Sequence, residues 1–150
     1  MKNRIIFGTA VLAAGLLFCC PKVEAAPNRC MDVYYISAEE ATELKQVAVL
    51  EAGETDVESI ANVMQVVLNR KYSEDFPNSI EECILEQGQF TTAKKLQTAN
   101  VTEAADEALQ AVIAGQYQDN QALYFESLSG KVWNNVHDYQ FSYGGHDFYK

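Results

Sequence analysis

The sequence predicts an α+β fold, with helices first and a short antiparallel sheet near the C-terminus. Two observations carry this. Through most of the chain, Ser/Thr-x-x-Glu signals precede runs whose apolar residues recur at helical spacing. Beyond Gly115 the apolar residues become aromatic and β-branched, in short segments punctuated by glycine.

The elements follow in order. Ser37 with Glu40 forms a capping box for a first helix through Leu44, Val47, Ala48 and Leu50, stopping near Gly53. Thr55 with Glu58 repeats the signal for a second, more apolar helix through Ile60, Val63, Met64, Val67 and Leu68, to about Arg70. "FPNSIEE" breaks the chain and restarts it, with Ser79 and Glu82 capping a short third helix. "QGQFTT" reads as a loop, and a fourth helix runs from about Thr102 to a stop at Gly115. Three short strands are expected at "ALYFES", "KVW" and "HDFYK", with Gly130 and the Gly144–Gly145 pair as turn residues.

A chain of 150 residues fits one domain. Its first 25 residues read as a secretory signal peptide: Lys2 and Arg4, the apolar run "IIFGTAVLAAGLLFCC", then Val23 and Ala25 at the small-residue positions before a cut. The apolar run is too short for a membrane anchor, and Phe18 before Cys19 does not fit a lipoprotein signal. A tether over 26–36 then leads into the domain at 37–150. With 11 basic and 21 acidic residues the net charge is −10, and losing Lys2, Arg4, Lys22 and Glu24 makes it more acidic. Such a surface is a poor partner for nucleic acid or anionic lipid, so neither nucleic-acid binding nor stable membrane insertion is expected after cleavage.

Cys30 and Cys83 are the cysteines beyond the leader. Export permits a disulfide between them, worth ~4 kcal/mol by chain entropy. The alternative is one buried and one loose thiol. Two cysteines and two histidines offer no zinc spacing, so no metal is expected.

The candidate chemistry centres on "VLEAGETD". Glu51 falls in the last turn of the first helix, where an acid opposes the helix dipole. Apolar neighbours add desolvation, and both effects favour the protonated form that a general acid needs. Glu54, Asp56 and Glu58 stand nearby, and glycoside hydrolysis often uses two carboxylates. Asp56 and Glu58 also suit a helix N-terminus as ordinary acids. A third group is aromatic and polar: Gln89, Phe90, Tyr124, Phe125, Trp133, His137, His146, Phe148 and Tyr149. Flat rings with amide and carboxylate side groups suit a carbohydrate, although aromatics on a small sheet are also ordinary core.

In order along the chain, "EAGET", "VVLNR", "FPNSI", "GQFT", "ALYF" and "GGHDFY" resemble the SleB-type cell-wall hydrolases, the family of spore cortex-lytic enzymes. The resemblance runs from about Val47 to the last residue. It implies a lysozyme-like catalytic domain over 37–150, with Glu51 as the catalytic acid. It implies cleavage of the β-1,4 bond between N-acetylmuramic acid and N-acetylglucosamine in peptidoglycan glycan strands, with no cofactor. Gln89, Phe90, Tyr124, Phe125 and His146 would shape the glycan groove. Thr55 stands where the family usually has Glu or Gln four residues after the acid, and Glu126 where many members have His. Glu54 and Glu126 are therefore the candidates for a second acid. The implied outcome is a lytic transglycosylase, exported to act on wall or spore cortex. A two-carboxylate hydrolase and a non-catalytic wall-binding protein are the rival readings.

The leader generates a test. Protein recovered from outside the cytoplasm is expected to begin at or near Ala26 by N-terminal sequencing. A lipid-modified Cys19 or Cys20 at the N-terminus would replace secretion with membrane tethering.

Overall fold

A computed structural model describes residues 34–86, 90, 92–130, 132 and 136–150. The leader, most of the tether with Cys30, and also Gln89 and Trp133, lie outside the described residues. Among these residues, no helix is long and apolar enough to cross a membrane.

Four α-helices precede three strands: α1 (Ala38–Ala52), α2 (Val57–Lys71), α3 (Ile80–Leu85), α4 (Glu103–Ile113), β1 (Tyr124–Ser127), β2 (Tyr139–Tyr143) and β3 (His146–Tyr149). The capping box of α1 is formed, with Glu40 N donating to Ser37 Oγ at 3.1 Å and Ser37 N to Glu40 Oε2 at 3.0 Å. Ser79 and Thr102 cap α3 and α4, accepting from Glu82 N and Ala105 N. A short 3-10 helix over Ala93–Thr98, which the sequence reading left unassigned, fills the connection between α3 and α4.

The cap of α2 corrects the expectation of Thr55. Asp56 holds that place, its carboxylate accepting from Glu58 N (3.1 Å), Ser59 N (3.4 Å) and Ser59 Oγ (2.7 Å). A charged carboxylate satisfies more of the orphan N–H groups than a single hydroxyl and also complements the dipole.

α2 is the axis of the core. Every residue from Ser59 to Leu68 is buried, including Asn62 and Gln65. A helix that is buried all round needs elements on every side, and α1, α3, α4 and the sheet supply them. Polar residues on such a helix must find partners. Gln65 Nε2 donates to Tyr34 Oη at 2.6 Å, which docks the end of the expected tether onto the core. Asn69 Nδ2 donates to the carbonyls of Asn120 and Ala122, both at 2.9 Å. The chain entering β1 is thereby sewn to the end of α2.

The sheet runs in the order β1-β3-β2, antiparallel throughout. The sequence reading put the middle strand at "KVW". Lys131 and Trp133 lie outside the described residues, Val132 is an exposed bend, and the third strand is instead Tyr139–Tyr143. Its place is decided by the two-residue turn at Gly144 (φ +57°) and Gly145 (φ +85°). Two positive φ angles match the right-handed strand twist of a tight hairpin. The register places Phe125, Phe141, Tyr143, His146 and Phe148 on one face, packed toward Val66 of α2. Glu126, Asp147, Tyr124 and Tyr149 point to the other face.

The hairpin tip is pressed against the first turn of α2. A Cβ on Gly144 would lie 1.8 Å from Ser59 Oγ and 2.8 Å from Ser59 Cβ, whereas one on Gly145 would meet nothing within 4 Å. Gly145→Ala therefore carries only the left-handed backbone cost of about 1–2 kcal/mol. Gly144→Ala adds overpacking and is expected to cost about 2–4 kcal/mol in all. Urea unfolding of the two variants checks this, and equal losses would show that the tip is not held against Ser59.

Candidate active site

α1 ends in a way that presents Glu51. Gly53 takes φ +89° and its N–H returns to Val49 O, closing the helix two residues beyond the acid. With ψ at −178° this is an extended positive-φ conformation that essentially only glycine adopts, so the chain leaves the helix abruptly there. Glu51 is half-buried there. Thr92 Oγ1 donates to Glu51 Oε1 at 2.5 Å, reaching across 41 positions of sequence. Thr92 immediately precedes the 3-10 helix, so that unpredicted turn aims the hydroxyl.

The opposite wall comes from the sheet. His146, the first residue of β3, is half-buried, and Phe125 meets its ring edge-on at 5.3 Å. Burial pushes the His146 imidazole below its usual range, while the Glu51 charge and a backbone hydrogen bond at Gly144 pull the other way. Phe90 packs on Phe125 with centroids 5.8 Å apart. Glu51, Phe90, Thr92, Phe125 and His146 are thus linked by contacts into one group between the end of α1 and the inner sheet face.

Other expected site residues stand elsewhere. Tyr124 is turned away from this group and stacks on His137 at 3.7 Å. Glu126 lies on the outer face, accepting from Val132 N at 2.8 Å and from Tyr149 Oη at 3.0 Å. Its carboxylate so fills the loop that a Cβ on Gly130 would come within 2.7 Å of Oε2. Burial, then the Glu126 carboxylate, pushes the Tyr149 phenol up to about 12. Asp56 is engaged in the α2 cap, and its hydrogen bond from Ser59 holds it below the usual range. Glu54 is exposed in the connection between α1 and α2. Cys83 is buried, its Sγ donating to Pro77 O at 3.0 Å, and burial pushes the thiol up to about 11.

Sequence reasoning missed two residues that build the cleft. Thr92 is one: the only cue was a second threonine after "QF". Arg70 is the other. Its side chain is buried, Nε donates to Leu123 O at 2.6 Å, and the guanidinium lies over Phe76 (5.2 Å), Phe90 (5.1 Å) and Tyr124 (5.6 Å). Burial lowers it to about 10, which leaves it a cation at neutral pH. In sequence it passes for an ordinary basic residue at a helix C-terminus.

His146 generates a pH prediction. Its folded-state affinity for protons is below that of the unfolded chain, so the unfolded state binds more protons on acidification. Its contribution is intact above the unfolded value of about 6.5 and is lost as pH falls below it. Urea melts of the parent should weaken from pH 8 to pH 5, and His146→Gln should remove part of that slope. Identical slopes would show that His146 does not titrate against burial.

The family profile described as cell wall hydrolase matches residues 53–149. The structure is similar to the catalytic domain of the Bacillus cereus SleB protein, with a TM-score of 0.63 and 25% identity, covering 80% of this chain and 97% of that one. It is also similar to the catalytic domain of the germination-specific lytic transglycosylase SleB from Bacillus anthracis, with a TM-score of 0.65 and 27% identity, covering 77% and 97%. No curated protein matches the chain. The profile begins just past Glu51, so the acid itself rests on the helix geometry and on the sequence motif around it. With the α2 axis, the sheet and its hairpin all inside the match, the chain belongs to the cell wall hydrolase family.

Proposed function

We propose that the protein is an exported peptidoglycan-degrading enzyme, a lytic transglycosylase that cleaves the β-1,4 bond between N-acetylmuramic acid and N-acetylglucosamine. The observation that carries this reading is the division of labour among carboxylates. Glu51 faces the cleft at the end of α1 with a threonine hydroxyl to orient it, while Asp56 and Glu126 are bound into a helix cap and a loop. One acid suffices for the proposed chemistry. The Glu51 carboxyl donates its proton to the departing glycosidic oxygen as the C1–O bond breaks. The resulting carboxylate then takes the proton from the muramic C6 hydroxyl as O6 bonds to C1. No water is consumed, the product carries a 1,6-anhydro-muramic end, and Glu51 finishes protonated, ready for another turnover.

The supports for this are of three kinds. The fold is shared with SleB catalytic domains, one of them described as a lytic transglycosylase. The half-buried Phe125 and His146 stand beside Glu51, with Phe90 packed behind Phe125, as ring surfaces suited to a sugar. Thr92 leaves the acid one fixed hydrogen bond, which sets the direction of the carboxyl group. Action outside the cytoplasm would follow from cleavage of the expected leader.

Glu51→Gln keeps the size of the side chain and removes its proton. General acid–base assistance is worth about 10²–10⁴-fold, and one group serving both half-reactions should lie at the upper end. Stability should be kept or rise slightly, because an ionised acid at a helix C-terminus costs about 0.3–1 kcal/mol. Glu54→Gln should do far less. Clearing of purified walls gives the rate, and mass spectrometry of the released muropeptides gives the product. Reducing muramic ends would assign hydrolysis instead, and wall clearing by Glu51→Gln at the parent rate would end the proposal.

A further inference from the structure

A second cavity, of about 340 Å³, opens between the first half of α2, the turn after α4 and β2. Tyr117, Phe141 and Tyr143 supply its apolar surfaces, and Glu58, Asn62 and Gln116 its polar ones. The floor is built rather than incidental. Asn62 and Asn120 are both buried, Asn120 Nδ2 donates to Asn62 Oδ1 at 3.0 Å, and Asn62 Nδ2 donates to Glu58 O at 3.0 Å. The Glu58 carboxylate keeps the Tyr143 phenol above its usual range, and burial does the same for Tyr117.

This cavity adjoins the Glu51 cleft through the hairpin. Tyr143 stands directly opposite His146 in the β2–β3 register, so the two side chains share a face. Cβ atoms of such pairs are about 4.5–5.5 Å apart. Gly144, between them in sequence, is pinned on Ser59 one residue from Glu58. One rigid tip therefore faces Glu51 with His146 and the cavity with Tyr143. The chemistry of the cavity narrows the ligand. Phenol and phenyl surfaces with amide and carboxylate groups at their edges fit a ring that is apolar on its faces and hydroxylated around its rim. Glu58 and Asp119 on the lining make it unsuited to an anion.

We propose that this cavity is a distal sugar subsite, which takes an N-acetylhexosamine ring of the glycan strand beyond the sugars at the cleaved bond. It rests on the reading of Glu51 as the acid of a glycan-cleaving site. It gives the enzyme a grip on long strands, with ring contacts from Tyr117 and Tyr143 and hydrogen bonds from Glu58 and Gln116.

The test uses the protein carrying Glu51→Gln, titrated with the β-1,4-linked pentamer of N-acetylglucosamine and followed by calorimetry and amide chemical shifts. Shifts are expected at Asn62, Tyr117 and Tyr143 together with those around Glu51. Adding Tyr117→Ala should weaken binding about tenfold, equivalent to 1.4 kcal/mol. Because a tyrosine truncation can disturb folding, Gln116→Ala, an exposed side chain, is measured beside it and should lose roughly threefold. No pentamer binding, shifts confined to the Glu51 cleft, or unchanged affinity in both variants would overturn the subsite. Product analysis of the parent separates the two claims. Anhydro-muramic products with unchanged pentamer affinity in the variants would remove the subsite alone. Pentamer binding at the cavity without wall cleavage would support the cavity and remove the catalytic reading.

Discussion

A buried cation with no carboxylate bonded to it among the described residues joins several segments of this fold. Arg70 sits at the end of the central helix, where its guanidinium lies over three aromatic rings and bonds one carbonyl. Each contact belongs to a different part of the chain: Phe76 from the break after α2, Phe90 from the segment before the 3-10 helix, Tyr124 and Leu123 from the entry to β1. Burying a charge is costly unless the surroundings compensate it. Cation–π contact with one buried and two half-buried rings, each worth about 0.5–2 kcal/mol, adds to the bond to Leu123 O as compensation. Lysine could not replace it, since a compact ammonium lacks the flat, weakly hydrated face that stacks on rings. The surroundings of Glu51 depend on this cluster at one remove. Phe90 is fixed between Arg70 and Phe125, and two residues later Thr92 reaches Glu51.

The short motifs that looked unrelated in sequence share that physical basis. "VVLNR" contributes Asn69, which binds the carbonyls of Asn120 and Ala122, and Arg70, which binds that of Leu123. "FPNSI" contributes Phe76, and "GQFT" contributes Phe90. "ALYF" brings Tyr124 to the cation and Phe125 to the cleft. A residue that passes for a helix-terminal charge in one dimension is the point on which four segments converge in three. No local rule could reveal this, because propensity and capping concern neighbours within a few residues.

What was legible in the sequence was local or periodic. The Ser37–Glu40 box and the apolar spacing of α2 involve partners three or four residues apart, and the structure has them. The α2 cap slipped by one residue because Thr55 and Asp56 are both good caps, and the doubly accepting carboxylate prevails. The middle strand was misplaced for a different reason. "KVW" has strand-forming residues, but a strand exists only with a partner, and β-propensity is mostly a statement about fit to neighbours. Gly144 and Gly145, read as punctuation, are in fact the hairpin turn that selects Tyr139–Tyr143 as the partner of β3. At the site, Glu51 was legible because an acid at a helix C-terminus breaks a local rule. Thr92 and the outward turn of Glu126 were not, since each is set by pairing across the fold.

The acids of this chain can be sorted by whether they help the fold. Glu40 completes a capping box, Asp56 caps α2, and Glu126 ties down a loop and the Tyr149 hydroxyl. In each, the negative charge meets backbone or hydroxyl donors, and folding favours it. Glu51 stands at the end of a helix where the dipole opposes it, with one hydroxyl as its hydrogen-bond donor among the described residues. Local conflicts of this kind are the ones expected at functional sites. The local conflict in "VLEAGETD" sets Glu51 apart from the carboxylates around it, which are more numerous and better placed for stability.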